Sequence, residues 1–151
     1  MKYKLKEVAQ IQYGKDHKKL TDGNIPVFGT GGLMRHVDNY LFEGDSVLIP
    51  RKGSLNGLQF VTGKFWTVDT LFWTKIDVEK VIPKYLFYVL KQFDFAQMNV
   101  GSAVPSLTTA LLNDLEMEIP NLGIQQSTLN KINPIESQIN NLSMINDNLV
   151  A

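Results

Sequence analysis

The chain has no cysteine among its 151 residues and only two histidines, His17 and His36. Without thiols neither a disulfide framework nor a Cys-ligated zinc site can form, and two imidazoles are too few for a metal cluster without several carboxylates. A reducing, cytoplasmic setting is permitted and is the expected one. No apolar run approaches the roughly 18 residues of a membrane span. The start MKYKLKEVAQ also lacks the apolar segment of a signal peptide, so a soluble protein is expected. Net charge is missing too, since fifteen Lys and Arg balance fifteen Asp and Glu. The balance hides a polarity: residues 1–75 carry eleven basic against seven acidic side chains, and residues 76–151 carry four against eight. Such halves suit a chain with one face toward DNA and another toward protein.

Catalytic motifs are equally scarce. Five residues rather than four separate Gly57 from Gly63, and Phe65 stands where a P-loop needs its Mg-binding Ser or Thr. Gly29-Thr-Gly-Gly32 lacks the third glycine of a dinucleotide fingerprint and reads better as a turn. Asn133-Pro-Ile135 is a distant echo of the Asn-Pro-Pro-aromatic loop of adenine methyltransferases, and neither histidine has a triad context. No catalytic residue, metal site or cofactor site is predicted in this chain.

What is present is one core plus an appendage. At 17.1 kDa and 44% hydrophobic, the chain divides into a mixed, strand-rich α+β domain over residues 1–120 and a helical segment over 121–151. A short helix is predicted over Leu5–Ile11, with Leu5 and Val8 inward, then a polar exposed loop from Gly14 through Asn24. Ile25–Phe28 reads as a strand closed by the glycine turn, and Val47-Leu-Ile49 as a buried strand ended by Pro50. Gln59–Val61 and Phe65–Val68 flank Thr62-Gly-Lys64 as a hairpin would, and Leu71–Ile76 is a further strand. Pro83 opens a helix with Leu86, Phe87, Leu90 and Phe93 on one face. Thr109–Asn113 reads as one helical turn, and Leu115–Ile119 alternates as a half-exposed strand before Pro120 ends the domain.

The appendage carries a heptad seam. Ile132, Ile139 and Asn146 fall at a, and Thr128, Ile135, Leu142 and Leu149 at d, the pattern of a coiled coil. The competing reading is an amphipathic helix lying on its own domain. Asn146 at an a position favours the seam, where it would set register. Asn133, Pro134 and Glu136 fit N-cap, N1 and N3, which predicts a fresh helix from Pro134 and a join at Asn133. The chain stops at Ala151 in mid-heptad, which reads as a longer helix cut short.

The order of these pieces resembles a known family. LKEVAQIQYGK, GNIPVFGTGGL, EGDSVLIPRKGS, GKFWTVDTLFWTKI, IPKYLFYVLK, GSAVPSLT and LEMEIPNLGIQQ follow one another. In that order they resemble one target recognition domain of a type I restriction-modification specificity subunit, over nearly the whole chain. The resemblance implies a non-catalytic subunit that reads one half of a bipartite site in double-stranded DNA. A helical spacer would set the distance to the other half and dock the methyltransferase subunits, with a restriction subunit in the larger assembly. S-adenosylmethionine, ATP and Mg would then belong to other subunits. The family pattern has two recognition domains and a longer spacer, so this chain is either a half-size subunit that forms a homodimer or a fragment. A reading from another class is a non-reading assembly or regulatory fragment that pairs with an intact specificity or methyltransferase subunit.

Within that resemblance, Arg51 and Lys52 lie in the shared RKGS turn, which implies scaffold or phosphate contact, with phosphate preferred. Base contacts are expected from side chains outside the shared pieces: Lys15, His17, Lys18 and Lys19 in the first loop, and Arg35 and His36 after the glycine turn. Ser102 and Ser106 either touch DNA or close their own loop. Ile132, Ile135, Ile139, Leu142, Asn146 and Leu149 form the expected interface between subunits.

Overall fold

The computed structural model describes residues 1–98 and 106–135. The chain opens with β1 (Lys2–Lys4), one helical turn α1 (Leu5–Val8) and β2 (Ala9–Tyr13). The helix predicted to reach Ile11 therefore ends at Val8. From Ala9 the backbone is extended, because Ala9 to Tyr13 pair antiparallel with Ile76 to Phe72. Ladder hydrogen bonds to a neighbouring strand outweigh the weak local preference for helix.

After the loop come β3 (Asp22–Gly29), β4 (Gly32–Val37), β5 (Phe42–Glu43), β6 (Ser46–Pro50), β7 (Gln59–Val61), β8 (Lys64–Thr67) and β9 (Leu71–Ile76). Then follow α2 (Pro83–Leu90), a 3₁₀ turn (Phe95–Met98), α3 (Thr109–Asn113) capped by the Thr108 side chain, and β10 (Glu116–Glu118). A last helix, α4, occupies residues 122–135.

The strands make three sheets. β2-β9-β6-β7 is antiparallel throughout, β4-β3-β8-β5 contains the parallel pair β3/β8, and β1 pairs with β10. β7 and β8 are thus not the hairpin that their spacing predicts. β7 pairs with β6 and β8 with β3, so the Thr62-Gly63 link carries the chain from one sheet into the other. Gly63 has φ +84°, a conformation open to glycine and strained for other residues.

β6 lies between two cores, which explains its unbroken apolar run. Val47 and Ile49 pack into the largest cluster with Leu5, Val8, Phe72, Leu86 and Leu90, while Leu48 faces the other way onto Val61, Phe65 and Leu71. Each fully buried side chain of this size stabilises the fold by about 1.5–3 kcal/mol. A buried polar pair continues the β6–β9 pairing. The Ser46 hydroxyl donates to the Thr74 carbonyl at 2.7 Å and accepts from the Thr74 N–H at 2.9 Å. The Thr74 hydroxyl accepts from the Val47 N–H at 2.9 Å and donates to the Val47 carbonyl at 3.0 Å.

α4 begins earlier than the sequence suggests. Asn121, rather than Asn133, is the described cap, its side chain accepting the Ile124 N–H at 2.9 Å, and the helix runs through Asn133 and Pro134 without a join. Pro120 does not end the packed unit either, because Gln125 and Leu129 are buried. Residues 99–105 with Ser102, and 136–151 with Ile139, Leu142, Asn146 and Leu149, lie outside the described residues.

Candidate nucleic-acid interface

The 14–21 loop is held at both ends. The Gly14 N–H donates to the Leu71 carbonyl at 3.0 Å and the Lys15 N–H to the Thr67 carbonyl at 2.9 Å. A Cβ on residue 14 would sit 1.9 Å from the Val68 carbonyl oxygen, so glycine alone permits this approach. The Trp66 indole N–H donates to the Lys15 carbonyl at 2.9 Å, which accounts for a polar tip on a core tryptophan. At the far end the Arg35 guanidinium, reaching from β4, donates to the Leu20 carbonyl at 3.1 Å, the His17 carbonyl at 3.4 Å and Asp22 Oδ1 at 2.6 Å.

Across from the loop stands the glycine turn between β3 and β4, whose Gly29 carbonyl accepts from Gln59 Nε2 at 2.8 Å. Asp16, His17 and Lys18, the stretch Gly29 to Met34, and the Val68-Asp69-Thr70 link enclose a cleft of about 610 Å³. It mixes cations, carboxylates, backbone and apolar side chains.

A second concavity adjoins the first through the Asp69-Thr70 link. The Arg51 N–H donates to the Thr70 carbonyl at 2.8 Å and its guanidinium to the Asp69 carbonyl at 3.1 Å, while the guanidinium carbon lies 5.5 Å from the Tyr13 ring centroid. The Arg51 carbonyl accepts from the Leu107 N–H at 2.9 Å, and Lys52 makes an antiparallel bridge with Ser106. The resulting groove, about 340 Å³, is lined by Tyr13, Arg51, Lys52, Ser106, Thr108 and Thr109, among others. Its described lining offers cations and hydroxyls and contains no carboxylate.

The structure therefore brings His17 and Lys18 to the first concavity and Arg51, Lys52 and Ser106 to the second. Lys15, Lys19 and His36 are exposed and line neither concavity. Arg35, expected at the bases, has a guanidinium turned back onto the first loop, with its side chain 29% exposed. Sequence reasoning passed over Tyr13, Asp16, Gln59, Asp69 and Thr70. Asp69-Thr70 could have been noticed as the tight link between two aromatic-rich strands; Gln59 and Tyr13 carry no local signal. Among the described residues no group of three His, Asp or Glu is placed to hold a metal ion.

Residues 1–149 match the family model for the type I restriction modification DNA specificity domain. The chain belongs to this family. A specificity domain contributes sequence recognition in general, and the family's specificity subunits are not the catalytic components of their systems. A candidate type I restriction enzyme specificity subunit of Haemophilus influenzae is 31% identical over 107 residues, which are 68% of this chain and 28% of that protein. A candidate type I specificity subunit of Mycoplasma pneumoniae is 24% identical over 93% of this chain and 49% of its own length. Among solved structures, a type I restriction-modification S subunit from M. genitalium superposes with a TM-score of 0.75 at 16% identity, covering 95% of this chain and 40% of that one. The HsdS subunit from Thermoanaerobacter tengcongensis gives 0.68 at 18% identity, over 94% and 38%. The chain thus spans half or less of each of these four proteins, and its fold is that of solved specificity subunits.

Proposed function

We propose that this specificity domain reads one half-site of a duplex DNA target, with its first concavity on base edges and its second on the sugar-phosphate backbone. The observation that carries the reading is the difference in chemistry between two adjoining concavities. Phosphates call for cations and hydroxyls without competing carboxylates, which is the lining beside Arg51 and Lys52. Base edges present donors as well as acceptors, and a cleft holding Asp16 and Asp69 beside His17 and Lys18 can satisfy both. Arg35 then acts as a positioning residue that holds the first loop in shape. Lys15, Lys19 and His36 are exposed and free to meet DNA outside the cleft.

The helical segment serves pairing and docking in this reading. Gln125 and Leu129 face the domain, whereas Ile124 at 52% and Ile135 at 57% exposure, with half-buried Thr128, form a separate column along α4. Ile135 and Thr128 are two of the d positions of the heptad seam, so this column is open to a second copy or to a methyltransferase subunit. Methyl transfer with S-adenosylmethionine, and ATP- and Mg-dependent restriction, belong to partner subunits.

Selection of duplex DNA from a random library by the full chain together with its methyltransferase subunit tests the whole reading. Recovery of a defined half-site, with affinity falling steeply as salt rises, is the expected result. Salt-independent retention with no enriched sequence would replace it with an assembly fragment that reads nothing.

A further inference from the structure

In a strand, neighbouring side chains point to opposite faces, so one of two adjacent apolar residues is ordinarily turned inward. At Leu33 and Met34 this alternation fails. The β3–β4 register passes from Val27 opposite Arg35 to Phe28 opposite Leu33, leaving Met34 as the extra residue of a bulge. Bulges re-aim side chains, and here both Leu33, 57% exposed, and Met34, 54% exposed, stand on the surface. Met34 lies against the glycine turn. A Cβ on Gly29 would lie 2.5 Å from Met34 Sδ, and Gly32 turns the chain at φ +111°.

Two large apolar side chains kept side by side in water beside the turn of the edge hairpin of the β4-β3-β8-β5 sheet point to something that covers them. They line the same cleft as Lys18 and the carboxylates of Asp16 and Asp69, and with the exposed amines of Lys15 and Lys19 in the same loop three cations stand against those two carboxylates. The apolar group exposed on base edges in the major groove of B-form DNA is the 5-methyl of thymine. We infer that Leu33 and Met34 are specificity-determining residues that select thymine by apolar contact with its 5-methyl group. The inference rests on the DNA-reading function proposed above and adds what the hairpin tip recognises.

The test replaces each thymine of the recovered duplex, one at a time, by deoxyuridine, which removes the methyl group and keeps the pairing edge. Wild-type binding should weaken about threefold to tenfold at one or two positions. In Leu33→Ala and in Met34→Ala, dT and dU should bind alike at those positions, while binding to random-sequence duplex and the salt slope stay unchanged. Since both side chains are exposed, the variants should melt with the wild type. Equal dU sensitivity in wild type and variants, or no sensitive position, would overturn the inference while leaving DNA reading intact. Absence of any enriched sequence would instead overturn the reading on which it rests, and the inference with it.

Discussion

The side-chain amide of Gln125 in α4 accepts the Ile82 N–H at 2.8 Å at the start of α2, and its Nε2 donates to the carbonyls of Lys80 at 3.0 Å and Pro120 at 2.8 Å. Gln125 is fully buried, so these three bonds fasten the C-terminal helix to the domain. Gln125→Leu keeps the approximate size but leaves one buried donor and two acceptors without partners. It should cost about 3 kcal/mol or more in a denaturant titration, since each buried group left unsatisfied costs about 1–3 kcal/mol. Faster hydrogen exchange at the Ile82 amide would locate the damage. An unchanged midpoint would mean that water replaces the amide.

One substitution type should have opposite effects at two buried threonines. Thr74→Val removes the acceptor of the Val47 N–H and a donor to the Val47 carbonyl, and should destabilise by about 1–3 kcal/mol. Thr67 is also buried, yet its hydroxyl has no hydrogen-bond partner, so Thr67→Val should be neutral or stabilising by up to about 1 kcal/mol. Thermal melts of the two variants check the contrast, and equal losses would contradict it.

Lys52→Ala should weaken binding to every duplex alike and lower the slope of log affinity against log salt by about 0.9, the loss of one phosphate contact. Lys52 is the cleaner probe of the groove, because Arg51 also holds the Asp69 carbonyl. Lys18→Ala should instead change which sequence is recovered. Anisotropy titrations over a range of salt, on specific and random duplexes, separate the two. A parallel loss of both kinds of binding in Lys18→Ala would move that residue to the backbone.

Arg35→Gln removes the ties to Leu20, His17 and Asp22 and should loosen residues 14–21 without unfolding the sheets. Limited proteolysis should cut the loop sooner, and sequence preference should broaden while non-specific binding persists. A loop as resistant as the wild type's, with a cleanly switched base preference, would make Arg35 a direct reader.

Ile135→Asp places a carboxylate on the open column of α4 and should abolish pairing while leaving the melting of the domain unchanged. Sedimentation velocity of wild type and variant decides. A wild type that stays monomeric at tens of micromolar would assign the column to another subunit.

Much of this protein was legible in the chain itself, because some residues allow one local answer. Val47-Leu-Ile49 read as a strand covered on both faces, Pro83 as the start of a helix, and alternation at Leu115, Met117 and Ile119 marked which side of β10 is buried. Order and spacing of such pieces were enough to mark the family. Partner choice was not legible, since strand pairing is a long-range matter. β7 and β8 look like a hairpin and join different sheets, and Ile11 continues a helical pattern and lies in β2 because Thr74 is opposite. The site follows the same division. Charge and loop chemistry pointed to Lys18, Arg51 and Lys52, but folding alone put Asp69-Thr70 between their concavities and turned Arg35 inward. A bulge in β4, immediately before Arg35, exposed Leu33 and Met34. Local preference is written in neighbours three or four residues apart, whereas a surface is made by segments that meet only after the core has closed, and no pattern within one segment records which others will meet it.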